Sequence, residues 1–188
     1  MGRSVVASLV PGANAALTAE NSGLTKVLVG LGWDTIPSRG PAAELVPMAV
    51  MCNADGAAVS GDHLVFFNQL VSADGSVTFA GDTDQEQIDV DLAQVPAAVA
   101  KIAFIVYVDP EVRGPGNFSA VRSAYIRVAT AGNRELVRFD VPLSSDDNIT
   151  AMMFGELYRH HDDWKFRALG QGYTTGLAGV AKDFRVDV

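Results

Sequence analysis

Five carboxylates lie within ten residues and form the densest acidic cluster of the chain: Asp82, Asp84, Glu86, Asp89 and Asp91. The last two are explained by an extended segment, since alternation in 88–92 puts the apolar side chains on one face and the acids on the other. Asp82, Asp84 and Glu86 instead follow Gly81 on a predicted turn, where their like charges repel one another. Calcium, a hard cation that prefers oxygen ligands, would relieve that repulsion. A solvated acidic turn fits the same spacing, so both interpretations stay open.

A β-hairpin is predicted to lead into this cluster. Asp74-Gly75 separates two β-rich runs, and these residues tolerate the positive φ that tight hairpin turns require. Asn68 follows the predicted strand 64–67, and its side-chain carbonyl would suit calcium if the loop at Gly81 folds back over it. An asparagine that caps its own turn accounts for Asn68 equally.

The segment His160-His161-Asp162-Asp163 is the other stretch with residue types suited to a metal or hydrolytic centre. Adjacent histidines of a strand point to opposite faces, and a hairpin turn is predicted here between two strands. No serine elbow, HExxH, CxxC or P-loop pattern occurs in the sequence. We therefore expect a protein that is not an enzyme.

Charge and composition restrict the partners. A formal net charge of −8 argues against nucleic acid and against anionic membrane surfaces, both of which attract basic proteins, and favours cations or basic partners. With 188 residues, 48% of them hydrophobic, residues 1–188 are predicted to form one domain. The single cysteine, Cys52, lies in an apolar run and is expected to be buried. With no predicted signal peptide or spanning helix, these features indicate a cytoplasmic protein.

Short β-rich runs separated by turn residues predict an all-β fold, an antiparallel β-sandwich of two sheets with about ten strands. The apolar run 101–108 is predicted to be a central strand, with 123–129 as its partner. Apolar residues at helical spacing from Thr175 to Phe184 predict a short C-terminal helix packed on the sandwich.

The hairpin also resembles the TerD family of tellurium-resistance proteins. The resemblance covers nearly the whole chain, through Gly30-Leu31-Gly32-Trp33-Asp34, Phe66-Phe67-Asn68-Gln69, Ala73-Asp74-Gly75, Gly81-Asp82-Thr83, Asp84-Gln85-Glu86, Ala124-Tyr125-Ile126-Arg127, Phe154-Gly155-Glu156-Leu157-Tyr158-Arg159 and Gly170-Gln171-Gly172-Tyr173. It implies calcium binding by the acidic loops.

Two departures from the family pattern concern that calcium site. Glu44-Leu45-Val46 stands where the family has Asp-Leu-Asp, and the Gly/Asp-rich loop before Asp84 is shortened. The resemblance therefore implies a reduced site of Asp82, Asp84 and Glu86, helped by Asn68 and Glu44. Its expected affinity is weak, on the order of 10⁻⁴ M or poorer.

The function that this resemblance implies is a non-enzymatic stress-response protein that works as a binding or scaffold module with protein partners. The alternative is a calcium-free interaction domain that acts through oligomer or partner contacts. The sequence distinguishes neither the partners nor the oligomeric state.

Overall fold

A computed structural model describes residues 7–37, 43–80, 84–109, 111, 117–143 and 148–186. In these residues twelve strands form two six-stranded sheets, and one helix follows the last strand. The predicted all-β sandwich with a C-terminal helix is confirmed. The strand count exceeds the predicted ten because strands of two or three residues carry no periodic signal.

Sheet A contains β1 (Ala7–Ser8), β3 (Lys26–Thr35), β6 (Val77–Ala80), β7 (Glu86–Asp91), β9 (Val121–Thr130) and β10 (Glu135–Asp140). Their order across the sheet is β1-β10-β9-β3-β7-β6, and all pairs are antiparallel except β1 with β10. Sheet B contains β2 (Asn14–Ala16), β4 (Leu45–Cys52), β5 (Leu64–Val65), β8 (Lys101–Val108), β11 (Ala151–His160) and β12 (Asp163–Tyr173). Their order is β2-β12-β11-β8-β4-β5, and every pair is antiparallel.

Strand β8 lies in the interior of sheet B, as its continuous apolar run predicts. Its neighbours are β4 and β11, whereas β9 pairs with β3 in sheet A. The predicted pairing of 101–108 with 123–129 is therefore wrong. An apolar run indicates burial but carries no information about which sheet the next strand joins.

Two layers of apolar side chains explain why β4 and β8 are apolar on both faces. Met51 and Phe104 belong to the core between the sheets, whereas Cys52 and Ile105 belong to a second cluster on the other face of sheet B. The helix α1 (Gly176–Phe184) covers this second cluster. The predicted helix is thus confirmed, and within the described residues no helix is long and apolar enough to cross a membrane.

Candidate functional site

The candidate calcium residues are carried by the β6–β7 hairpin and its neighbours. Strands β6 and β7 are antiparallel, with Ala80 opposite Gln87. Residues 81–83 lie outside the described residues, and Asp82 lies there with them. The described side of the hairpin loop begins at Asp84.

Asn68 lies in a tight turn beside this hairpin. Backbone hydrogen bonds join Phe66 and Gln69 in both directions, at 3.0 and 2.9 Å, and leave the Asn68 side chain exposed. Two residues later, the carbonyl of Leu70 accepts a hydrogen bond from the N–H of Phe79 at 2.7 Å. Because Phe79 is next to the last residue of β6, the Asn68 turn lies at the end of the sandwich where the acidic loop leaves that strand.

Glu44 reaches the same end of the molecule from sheet B. It directly precedes β4, which pairs antiparallel with β5 through Ala49 and Val65. The start of β4 therefore lies on the same side as the end of β5, where the chain continues toward Asn68. The Glu44 side chain is exposed, and its backbone carbonyl accepts a hydrogen bond from the N–H of Asp109 at 2.8 Å.

The negative charge at this end of the sandwich affects the pKa of Tyr107. Burial raises the pKa of the Tyr107 hydroxyl, and the negative charges of Asp109 and Glu44 raise it further. Both carboxylates therefore lie close enough to Tyr107 to disfavour a second negative charge.

Asp84 is bound to basic and hydroxyl groups on the outer face of sheet A, the face away from sheet B. Its Oδ2 accepts from Arg127 Nε at 2.8 Å, and its Oδ1 accepts from the Tyr125 hydroxyl at 3.1 Å. The Asp84 and Arg127 side chains are only 11% and 9% exposed. Burial raises the pKa of Tyr125, and the neighbouring Asp84 carboxylate raises it further.

Glu86 lies on the opposite face of the same sheet. It shares the alternation of Ile88 and Val90, which belong to the core between the sheets, so its side chain lies at the margin of that core. Burial raises the pKa of the half-buried Glu86 carboxyl. Among the described residues no side chain forms an ion pair or hydrogen bond with it.

The described part of the chain therefore brings Glu86, Asn68 and Glu44 to one end of the sandwich but directs Asp84 elsewhere. No three histidine, cysteine, aspartate or glutamate side chains within those residues form a group that could hold a metal ion. Whatever site exists here also depends on Asp82 or on uncharged oxygen ligands.

The sequence patterns did not identify three further residues that position the loop: Gln85, Tyr125 and Arg127. Gln85 Oε1 accepts a hydrogen bond from the Trp33 N–H at 3.0 Å, so the loop is tied to β3 as well as to Arg127 and Tyr125 of β9. The sequence pattern that could have indicated Arg127 is a charged residue inside the β-branched and apolar run of an interior strand.

The two adjacent histidines lie at a hairpin turn, as predicted. His160 ends β11, and His161 leaves the strand with a φ of 57°. This left-handed conformation brings the two rings to 4.4 Å between centroids, so they do not point to opposite faces as adjacent strand residues would.

The third histidine has partners that its sequence neighbourhood did not reveal. His63 Nδ1 lies 2.7 Å from Ser60 Oγ, and its Nε2 lies 3.7 Å from Asp74 Oδ2. Asp74 fixes the predicted turn, since its Oδ1 accepts from the Ser76 N–H at 2.8 Å and Gly75 adopts a φ of 78°. The Asp74-Gly75 turn is thereby confirmed.

Comparison with known proteins identifies the family. Residues 5–184 match the TerD domain model. The chain is 41% identical to general stress protein 16U of Bacillus subtilis (strain 168), covering 96% of this chain and 98% of that protein. It is 37% identical to tellurium resistance protein TerD of Serratia marcescens, covering 96% and 97%.

A solved structure shares the fold. The crystal structure of a homologue of telluride resistance protein (TerD) from Streptomyces coelicolor A3(2) superposes with a TM-score of 0.65. The match has 24% identity and covers 85% of this chain and 96% of that one. On the domain match and the two full-length relatives, the chain belongs to the TerD family.

Proposed function

We propose that the chain is a cytoplasmic stress-response module that acts by binding rather than by catalysis, and that it binds calcium at one site anchored by Glu86. The relatives named for general stress and tellurium resistance support the stress-response role. The Glu86 carboxylate, which pairs with no side chain among the described residues, carries the calcium proposal.

A carboxylate that is partly removed from water without a counter-charge favours its protonated form, and the raised pKa of Glu86 reflects this. A bound dication would compensate the charge. The exposed turn of Asn68 offers amide and carbonyl oxygens at the same end of the sandwich, and Asp82 lies between Asn68 and Glu86 in the sequence.

Asp84 has a different role in this proposal. Its carboxylate is already neutralised by Arg127, so calcium would have to displace a nearly buried guanidinium to reach it. We assign Asp84 to holding the loop on sheet A and leave Glu86, Asn68 and Asp82 as ligands, with Glu44 contributing charge. So few carboxylates support a dissociation constant on the order of 10⁻⁴ M or poorer.

Calcium-dependent thermal unfolding tests this assignment. At a free calcium concentration a hundred times the dissociation constant, binding should stabilise the native protein by about 2.7 kcal/mol. Glu86→Gln should abolish this stabilisation, because it removes the anchoring charge and keeps the shape. Asp84→Asn should lower the melting temperature without calcium but retain the calcium-dependent increase.

Magnesium at the same concentration controls for ionic strength, since its strict octahedral preference should give a smaller shift. The proposal is wrong if wild-type protein shows no calcium-specific shift. If Asp84→Asn loses the shift and Glu86→Gln keeps it, calcium binds on the outer face of sheet A instead.

A specific observation favours the calcium-free interaction domain as a second candidate. Phe67, Leu70 and Val71 are 56%, 52% and 48% exposed on one short segment that crosses between the sheet edges. Several large apolar side chains exposed on one short segment favour a contact with another protein. Sedimentation experiments test this candidate. It would be favoured if the protein self-associates independently of calcium and if Leu70→Ser abolishes the self-association.

A further inference from the structure

A largely apolar groove lies on the side of sheet B that carries α1, between the start of this helix and the turn that follows β5. It has a volume of about 580 Å³, within the range of small-molecule sites. Phe67, Tyr107 and Leu177 form its apolar walls, and Asp109 and Glu111 line it where the chain leaves β8. We propose that this groove binds a small organic cation, an amine whose apolar body lies against Phe67 and Tyr107 and whose ammonium lies at Asp109.

The apolar walls come from three separate elements. Tyr107 of β8 and Leu177 of α1 are half-buried and pack against the second apolar cluster. Phe67 is 56% exposed, although its ring is held edge to face against Phe66 at 5.6 Å between centroids. A ring that is already held in place loses little conformational freedom when a ligand covers it. The groove is therefore suited to an apolar body.

Negative charge lies beside these walls. Within the described residues no basic side chain lines the groove or forms an ion pair with Glu44, Asp109 or Glu111. Burial raises the pKa of the Tyr107 hydroxyl, and the charges of Asp109 and Glu44 raise it further, so these charges act on the aromatic wall. The N-terminus of α1 contributes a partial positive charge of about half an elementary charge, which is less than that of three carboxylates. The groove therefore favours a cation.

Other aromatic rings of the chain show what the groove rings lack. Three of them have a guanidinium over the ring, at 4.1–4.5 Å from the centroid: Arg138 over Tyr125, Arg159 over Trp164 and Arg167 over Tyr158. Among the described residues neither Phe67 nor Tyr107 has such a cation, although carboxylates lie beside them. A cation in the groove would gain a ring face and a carboxylate together.

This combination selects the class of ligand. A metal ion would gain the carboxylates but not the apolar walls, and a neutral apolar molecule would leave the charges uncompensated. A second copy of the chain carries the same net charge of −8 and is disfavoured as the occupant. An amine with an aromatic body uses the rings and the carboxylates. The site goes beyond the proposed calcium function, because it does not use Glu86.

The proposal is tested by NMR on the full-length ¹⁵N-labelled chain in the presence of a calcium chelator. The probe is 2-phenylethylamine, which should shift the backbone signals of Tyr107, Asp109 and Leu177 saturably, with a dissociation constant on the order of 1 mM or tighter. The alcohol 2-phenylethanol lacks the charge, and ethylamine lacks the ring. Each should bind about tenfold or more weakly than the probe.

Two pairs of variants assign the two parts of the site. Asp109→Asn should weaken binding about tenfold or more, because it removes the charge but keeps the oxygen that accepts from the Glu111 N–H at 2.9 Å. Asp55→Asn removes an equal charge at an exposed turn outside the groove and should change little. Phe67→Ala should also weaken binding, whereas Leu70→Ala, at a comparably exposed position outside the groove, should not.

The absence of a saturable shift up to about 10 mM probe overturns the proposal. Equal binding of the alcohol and the amine overturns it as well, as do equal effects of Phe67→Ala and Leu70→Ala. Glu86→Gln should bind the probe as wild type does, and loss of binding in this variant would place the ammonium at the proposed calcium residues instead. Because the chelator is present throughout, failure of the amine leaves the calcium-dependent unfolding test unaffected.

Discussion

Asp84 Oδ2 lies 2.8 Å from Arg127 Nε, and this ion pair is seated directly over Gly30 of the strand between them. A Cβ atom at Gly30 would lie 1.5 Å from the same carboxylate oxygen. The absence of a side chain on β3 therefore provides the space in which a loop residue and a residue of β9 meet. The pair fixes the direction in which the acidic loop enters β7.

Gly30→Ala should break this contact and destabilise the protein by about 1–3 kcal/mol, because the nearly buried Arg127 would lose its shortest ion pair and keep only the longer one with Glu135 at 3.8 Å. Chemical unfolding measures the change. Gly61→Ala is the control, since a Cβ there meets no atom within 4 Å and should have little effect. Equal stability of the two variants would show that the ion pair contributes nothing at this position.

The turn at Asp74 gives a prediction with a defined pH dependence. Burial raises the pKa of this carboxyl, but hydrogen bonds from the Ser76 side chain and N–H and from Ser72 more than offset it, so the pKa of Asp74 is lowered. Asp74→Ala should cost about 1–3 kcal/mol at neutral pH, because the donors of Ser72 and Ser76 lose their acceptor. Equilibrium unfolding in urea measures this loss.

The Asp74 contribution is fully present above the pKa of the unfolded carboxyl and is lost as the pH falls through the lower native pKa. The stability difference between wild type and Asp74→Ala should therefore shrink in acid. Asp55→Ala, at an exposed turn position, should show little difference at either pH. A difference that is constant down to low pH would contradict the role of the charged form.

Alternation along single strands was predictable from the sequence. Asp89 is exposed while Ile88 and Val90 are buried, because period-two patterning depends only on neighbours along the chain. The direction of Asp84 was not predictable. Its partner Arg127 lies 43 positions away, and a turn residue has no face that periodicity can assign.

The strands that pair with β8 were not predictable either, because periodicity along one strand does not identify its partners. Its apolar residues pack between the sheets on one face and under the helix on the other, so both faces look alike in sequence. Asp84 and Glu86 were grouped by spacing, and residues two apart in a strand would share a face. Because β7 begins only at Glu86, Asp84 lies outside this alternation, and it contacts Arg127 on the outer face of sheet A.

Cys52 should react slowly with a thiol reagent in the native protein. It is fully buried beneath α1, and its pKa is raised to about 12, mainly by burial. Since the thiolate is the reactive form, labelling should proceed only through opening of the helix or of the whole domain.

Two helix variants separate this mechanism from a generally unreactive thiol. Phe184→Ala should accelerate native labelling, because Phe184 belongs to the same apolar cluster as Cys52. Lys182→Ala, at an exposed position of the same helix, should not. Native labelling as fast as that of denatured protein would exclude the buried position of Cys52.

Glu86 should destabilise the calcium-free protein at neutral pH. Because burial raises its native pKa above that of the unfolded chain, the stabilising form is the protonated one. That contribution is fully present below the unfolded pKa and is lost as the pH rises through the native pKa.

In the presence of a chelator, Glu86→Gln should therefore be more stable than wild type at neutral pH. The difference should disappear in acid, whereas Glu20→Gln, at an exposed position, should show no such trend. NMR titration of the Glu86 carboxyl gives the direct measurement, and a native pKa below the ordinary glutamate range without calcium would contradict both this prediction and the unpaired state of the side chain on which the calcium proposal rests.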